Sequence, residues 1–93
     1  ALNVNSKVYP NPSAGSVFID IISEERLEDF SIVIYDLMGK EVATVTEGTH
    51  EAGAKLYEWN ASNAAGTIVP NGLYNYVVKS GEATYSGRIQ IMR

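Results

Sequence analysis

The sequence lacks most of the residues on which metal sites and many catalytic sites are built. It has no cysteine, and His50 is its one histidine. The absence of cysteine excludes disulfide bonds and thiolate metal sites, so the fold depends on core packing and backbone pairing. A zinc site would need a second imidazole or a thiolate, and neither is present. We therefore expect no metal and no other cofactor.

Basic residues are few and scattered. Seven lysines and arginines stand against eleven acidic residues, which gives a formal net charge of −4 at pH 7. Such a domain repels phosphate backbones, so nucleic acid is not an expected partner. No apolar run approaches the ~20 residues of a membrane helix, so no transmembrane segment is expected. The acidic cluster from Glu24 to Asp29 is interpreted as a solvated loop between strands.

The length and composition suit one globular domain over residues 1–93. The chain is 45 % hydrophobic and 19 % charged, which is typical of a folded rather than a disordered chain. A chain of this size has room for one thin core. Because it opens without a signal peptide and in mid-sequence, we interpret it as a module excised from a larger secreted protein.

Short segments of alternating apolar and polar residues follow one another, with turn residues between them. They predict strands at 7–9, 16–23, 30–36, 40–46, 54–60, 73–79 and 84–92. Seven such segments without crossover helices favour an all-β fold, a seven-stranded antiparallel Ig-like β-sandwich. The order of the strands within the sheets does not follow from periodicity.

Alternation also assigns the inward faces, with Trp59 at the centre of the core. The residues assigned inward are Val17, Ile19, Ile21, Phe30, Ile32, Ile34, Tyr57, Trp59, Tyr74, Tyr76 and Val78. Pro10 and Pro12 are predicted to end the first strand, because proline cannot donate a ladder hydrogen bond. Gly39 is predicted to supply the positive φ of a tight turn. Gly87 lies inside the last strand, where it is interpreted as a bulge.

No arrangement of residues points to catalysis. His50 lies in a polar stretch and is interpreted as an exposed loop histidine. The carboxylates near Glu24 have no cleft-forming aromatic residue beside them. We therefore predict that the domain is not an enzyme.

Aromatic residues leave one binding alternative open. Phe18, Tyr35 and Tyr85 fall outside the assigned core faces. A planar row of these rings on a sheet surface would favour a carbohydrate-binding module, because exposed rings stack on sugars. Surface glycan is therefore kept as a further candidate partner.

Three motifs resemble the C-terminal sorting domain of the type IX secretion system. The family shows a Tyr-Pro-Asn-Pro start, a Tyr-Asp-x-x-Gly-Lys hairpin and a later Gly-x-Tyr. The matching residues are Tyr9, Pro10, Asn11, Pro12, Tyr35, Asp36, Gly39, Lys40, Gly72 and Tyr74. The middle of the chain is also similar to the Ig-like domain of the flagellar hook-cap protein. That likeness is carried by Gly53, Trp59, Asn60, Gly66, Gly72 and Tyr74.

The first resemblance implies a sorting and anchoring module on a secreted enzyme or adhesin. Such a module addresses its covalently linked parent protein to secretion machinery at the outer membrane, so the implied location is secreted or cell-surface. The family's recognised element is the final strand and its basic tail. Here that segment comprises Gly87, Arg88, Ile89, Gln90, Ile91, Met92 and Arg93.

Two alternatives remain open from the sequence. Compact sorting domains usually lack the long hairpin that carries Trp59, and this difference favours the hook-cap-like branch. A hook-cap-like assembly domain is therefore one alternative. A carbohydrate-binding or structural accessory module of an extracellular glycoside hydrolase is the other.

Overall fold

The computed structural model describes residues 4–10 and 14–93, and every regular element among them is a β-strand. Each of the seven predicted segments corresponds to one of these strands. They are β1 (Val4–Tyr9), β2 (Val17–Ser23), β3 (Leu27–Asp36), β4 (Glu41–His50), β5 (Gly53–Trp59), β6 (Gly72–Ser80) and β7 (Ala83–Ile91). Asn11 and Pro12 of the predicted turn lie outside the described residues.

The strands form two antiparallel sheets that pack face to face. One sheet has three strands in the order β1-β2-β5, and the other has four in the order β4-β3-β6-β7. All neighbouring strands pair antiparallel. The predicted Ig-like sandwich is confirmed, and the structure adds the strand order.

The core lies between the inward faces that alternation predicts. Every residue assigned inward from the sequence is buried, including Trp59 between the sheets. On β2, for example, Val17, Ile19 and Ile21 are fully buried. Burial of each such side chain stabilises a fold by about 1.5–3 kcal/mol. This burial holds the two sheets together without any covalent cross-link.

The turn between β3 and β4 forms as predicted. Gly39 adopts a φ of +82°. Asp36 Oδ1 accepts hydrogen bonds from the backbone N–H of Met38 at 2.9 Å and of Lys40 at 3.0 Å. One carboxylate thus satisfies two turn amides, which explains why aspartate suits the end of this strand.

Two segments that were interpreted as loops belong to strands. β3 begins at Leu27, inside the acidic cluster, and β4 continues to His50. Leu27 and His50 are both buried and pair with each other. The loop interpretation is therefore wrong for residues 27–29 and 47–50, whereas residues 24–26 do form an exposed connection between β2 and β3. Register shifts along β3 and β4, with a φ of +49° at Asp29, interrupt the alternation on which strand prediction depends.

β1 begins and β7 ends at opposite ends of the sandwich, which measures 36 × 23 × 21 Å. The first residues of β1 lie beside Ser23, the last residue of β2. At the other end of β2, Val17 pairs with Trp59, which contacts Tyr74 across the core with ring centroids 5.6 Å apart. Tyr74 pairs with Ile89, close to the end of β7.

Candidate recognition surface

The segment predicted to be recognised covers the second half of β7 and the two residues after it. β7 lies at the edge of the four-stranded sheet, with β6 as its neighbour. Ile89 and Ile91 are buried in the core, whereas Arg88 and Met92 are exposed. Gln90, on the same side of the strand as Arg88, is half-buried. Alternation therefore divides the predicted segment into core residues and surface residues.

Gly87 lies under the aromatic ring of Tyr76 on the inner side of β7. The two residues pair, and the register of β6 and β7 continues past them without a shift. A Cβ atom at this position would lie 2.5 Å from Cε1, Cζ and the hydroxyl oxygen of Tyr76. The predicted bulge at Gly87 is therefore wrong. Glycine is required there because the ring approaches the backbone closely.

The Tyr76 hydroxyl connects the two sheets. Its oxygen lies 2.5 Å from Oγ of Ser6 on β1. The Tyr76 ring also packs against Tyr85, with centroids 6.3 Å apart. Burial raises the pKa of Tyr76, while the Ser6 hydrogen bond lowers it in part and the neighbouring Tyr85 raises it. Burial thus favours the neutral phenol, and the Ser6 bond holds the ring over Gly87.

The residues after β7 are tied to the loop that precedes β6. The backbone N–H of Arg93 donates to Asn71 Oδ1 at 3.1 Å, and Asn71 Nδ2 donates to the Arg93 carbonyl at 3.4 Å. The Arg93 guanidinium donates to the Val69 carbonyl at 2.6 Å. These bonds hold Arg93 to the loop that precedes β6. Arg88 lies on the strand itself and is exposed.

The described residues of the family motifs lie at strand ends, in turns or in the core. They are Tyr9, Pro10, Tyr35, Asp36, Gly39, Lys40, Trp59, Gly72 and Tyr74. Trp59 Nε1 donates to the Ser62 carbonyl at 2.9 Å, and the Tyr74 hydroxyl donates to the Pro70 carbonyl at 2.7 Å. Burial raises the pKa of Tyr74. Both rings therefore fix the loop between β5 and β6 onto the end of the sandwich.

Comparison with known families finds a match between the model of the FlgD Ig-like domain and residues 6–84. The chain belongs to the FlgD Ig-like domain family. The matched range ends before residues 87–93, so the prediction for that segment stays a prediction. No curated protein matches the chain.

Two solved structures share the fold of this FlgD Ig-like domain. Dimeric latent PorU from Porphyromonas gingivalis is 20 % identical, with a TM-score of 0.72. PorZ, described as an essential surface component of the type-IX secretion system of the same organism, is 23 % identical, with a TM-score of 0.62. The likeness to PorU covers 95 % of this chain and 9 % of PorU. The likeness to PorZ covers 96 % of this chain and 12 % of PorZ. The likeness concerns the fold of one small part of each protein.

The FlgD Ig-like domain contains a buried polar site that the sequence analysis missed. His50 has an exposed fraction of 0 %, so its interpretation as an exposed loop residue is wrong. Its Nε2–H donates to the Gly53 carbonyl at 3.2 Å, because a carbonyl can only accept. Nδ1 forms a hydrogen bond with the Tyr57 hydroxyl at 2.7 Å. Phe30 packs against the imidazole, with centroids 5.1 Å apart.

This histidine has a structural role that follows from its partners. Burial raises the pKa of Tyr57 and so favours the neutral phenol that bonds His50. Both imidazole nitrogens are used to hold β4 and β5 together around their connection. Gly48 and Gly53, which take positive φ on either side of His50, are the sequence signal for this sharp bend. The two glycines indicate the bend, but they do not indicate that the side chain of His50 points into the core.

The three aromatic residues considered for sugar stacking do not form one row in this FlgD Ig-like domain. Phe18 is on the three-stranded sheet, whereas Tyr35 and Tyr85 are on the four-stranded sheet. Tyr85 pairs with the buried Val78 and so lies on the inner side, where it is 38 % exposed at the sheet edge. Tyr35 lies on the outer side. These three residues therefore do not form the planar aromatic surface that the carbohydrate-binding hypothesis requires.

A polar cleft of about 590 Å³ opens beside β4 and β5. Thr44, Glu58 and Asn63 line it, and Asn63 Oδ1 accepts the loop amides of Ala65 and Thr67. Asn63 thus shapes the loop that borders the cleft. Over the part of the chain that the structure describes, no group of three acidic or histidine side chains is placed to hold a metal ion. No helix in that part is long and apolar enough to cross a membrane.

Proposed function

We propose that this domain is a non-catalytic sorting and anchoring module that directs a covalently linked secreted enzyme or adhesin through the type IX secretion system. The observation that carries the proposal is the fold likeness to PorZ, a surface component of that system. The sequence motifs that resemble the sorting family support it independently. In this role the module acts outside the outer membrane or at the cell surface, and its partner is the secretion machinery.

A non-catalytic role agrees with the use of the buried polar side chains. His50 and Tyr57 bond each other, and Tyr76 bonds Ser6. The carboxylate of Asp36 is occupied by two turn amides. Each of these groups stabilises a strand connection or a contact between sheets.

The proposed recognition surface consists of Arg88, Gln90 and Met92, which lie outside the core. Ile89 and Ile91 of the same segment are buried. Deletion of residues 89–93 would therefore remove two core side chains together with the surface ones. Loss of export after that deletion would not separate recognition from folding, so surface substitutions are the sharper test.

The proposal is tested by an export assay. Residues 1–93 are placed behind a signal peptide and a fluorescent protein, and expressed in a host with type IX secretion and in its translocon-null twin. We expect fluorescence at the cell surface or in the medium only in the host with the translocon. Retention of the folded fusion in the periplasm of both hosts would contradict the sorting role.

The family match favours a second candidate function. Because residues 6–84 match the FlgD Ig-like domain, a hook-cap-like assembly role, in which copies pack through their sheet faces, is the alternative. Sedimentation of the purified domain over a range of concentrations distinguishes the two. Concentration-dependent oligomers together with translocon-independent localisation would favour assembly over sorting.

A further inference from the structure

The four edge strands of the sandwich differ in how well they are protected against pairing with another strand. β4 is interrupted by register shifts, and β1 ends at Pro10. β7 instead pairs with β6 in one unbroken register from Ala83 to Ile91. Bulges and prolines are the usual means by which proteins block an edge, and β7 contains neither. β5 is also regular, but it is two residues shorter than β7 and contacts β4 across the sheets. A long regular edge of this kind is a template for strand addition.

The two sides of the sandwich also differ in access. On one side β4 and β5 contact each other across the sheets. On the other side, the four-stranded sheet ends with β7, whose one strand neighbour in the described structure is β6. Thr84, Ser86 and Arg88 are exposed there. An approaching strand therefore reaches the edge of β7 without displacing another element of the described structure.

The hairpin register identifies which backbone groups of β7 face that edge. A two-residue loop, Gly81 and Glu82, joins Ser80 to Ala83. Residues that flank such a loop form a hydrogen-bonded pair, and bonded pairs alternate with non-bonded pairs along an antiparallel ladder. Thr84 and Ser86 consequently direct their backbone N–H and C=O groups away from β6. Their side chains lie on the outer face of the sheet.

The one charged side chain of β7, Arg88, is opposite in sign to the net charge of the domain. Residues 83–93 contain two arginines and no carboxylate, although the whole chain has a net charge of −4. Arg88 is exposed on the same outer face as Thr84 and Ser86. Complementary charge across an edge guides association and sets the register of a partner. A partner strand with carboxylates on that face matches these features.

We propose that β7 binds an extended acidic segment of the secretion machinery, which adds to the four-stranded sheet as a fifth strand. The inference rests on the proposed sorting function and specifies how the module is held. Backbone hydrogen bonds to the edge of β7 supply the affinity. Arg88 favours a partner strand that has a carboxylate on the outer face of the sheet. The core residues Ile89 and Ile91 position this edge and do not touch the partner.

The test uses paired variants in the fluorescent export assay. Ser86→Pro removes an edge N–H while leaving the pairing with β6 intact, and Ser86→Ala is its side-chain control. Arg88→Glu reverses the selecting charge, and Arg88→Lys retains it. Urea denaturation of each purified variant verifies folding. We expect export to fall about tenfold for the proline and glutamate variants and to persist in both controls.

The outcomes separate this inference from the proposed function. If the parent fusion requires the translocon but the folded Ser86→Pro variant is exported as well as Ser86→Ala, strand addition is wrong and the sorting role stands. If the fusion with the unsubstituted domain is not exported, the sorting role is wrong, and the strand-addition inference, which rests on it, is wrong as well. If the domain dimerises and Ser86→Pro abolishes the dimer, the occupant of the edge is a second copy, and the acidic partner is rejected.

Discussion

Substitution of Gly87 by alanine tests the close packing of β7 against β6. The added Cβ would lie 2.5 Å from three atoms of the Tyr76 ring, well inside ordinary contact distance. The ring is buried and bonded to Ser6, so it cannot swing aside without breaking that bond. Overpacking of this kind destabilises a fold by about 1–3 kcal/mol. Alanine loses less backbone entropy on folding than glycine, which offsets about 0.5–1 kcal/mol of that cost. The difference between these ranges is a net loss of about 0–2.5 kcal/mol, with a central value of about 1 kcal/mol.

The assay is urea denaturation followed by the fluorescence of Trp59, the one tryptophan of the chain. For a domain of this size, each kcal/mol also lowers the melting temperature by about 4–8 °C. Ser86→Ala, on the exposed side of the same strand, serves as the matched control. In a Tyr76→Leu background the ring is absent, so Gly87→Ala should become neutral or slightly stabilising. An unchanged or higher free energy of unfolding for Gly87→Ala with Tyr76 present would refute the packing argument.

Three further predictions concern other parts of the fold. Tyr57→Phe leaves the buried Nδ1 of His50 without its hydrogen-bond partner and should lower the free energy of unfolding by about 1–3 kcal/mol; an unchanged urea midpoint would contradict this. Asp36→Ala should cost about 1–2 kcal/mol, whereas Asp36→Asn, which keeps an acceptor oxygen, should cost less in the same titration. Above about pH 10, unfolded tyrosine loses its proton while Tyr57, Tyr74 and Tyr76, whose pKa values burial raises, keep theirs. The unfolded state then binds fewer protons, so stability should fall by up to about 1.4 kcal/mol per pH unit for each tyrosine; urea midpoints that stay constant across pH 10 would exclude this linkage.

Periodicity predicted the strands wherever pairing is regular. On β2 and β6 each residue opposes one partner, so alternation along the sequence becomes alternation between core and surface. The core assignments of Ile19 and Tyr76 follow directly from this geometry. On β3 and β4 the register shifts, and one extra residue moves the following side chains to the other face. Leu27 and His50 were therefore missed.

The recognition role of residues 87–93 stays a prediction, and the structure shows where these residues lie. The final strand does lie at a sheet edge, yet Ile89 and Ile91 face the core. A local sequence pattern does not report contacts between residues that are distant in the chain. The ring of Tyr76 over Gly87, and the bonds from Arg93 to Asn71 and Val69, are contacts of this kind.

The opposite placement of the start of β1 and the end of β7 determines how the domain responds to mechanical tension. A pulling force applied along the polypeptide would act parallel to both strands and in opposite directions at the two ends. β1 would have to slide along β2, and β7 along β6, which loads all the hydrogen bonds of each ladder at once. Peeling the ladder apart one bond at a time would require force perpendicular to the strands. Tension along the polypeptide is therefore resisted in shear by both terminal ladders rather than by the peeling of single bonds.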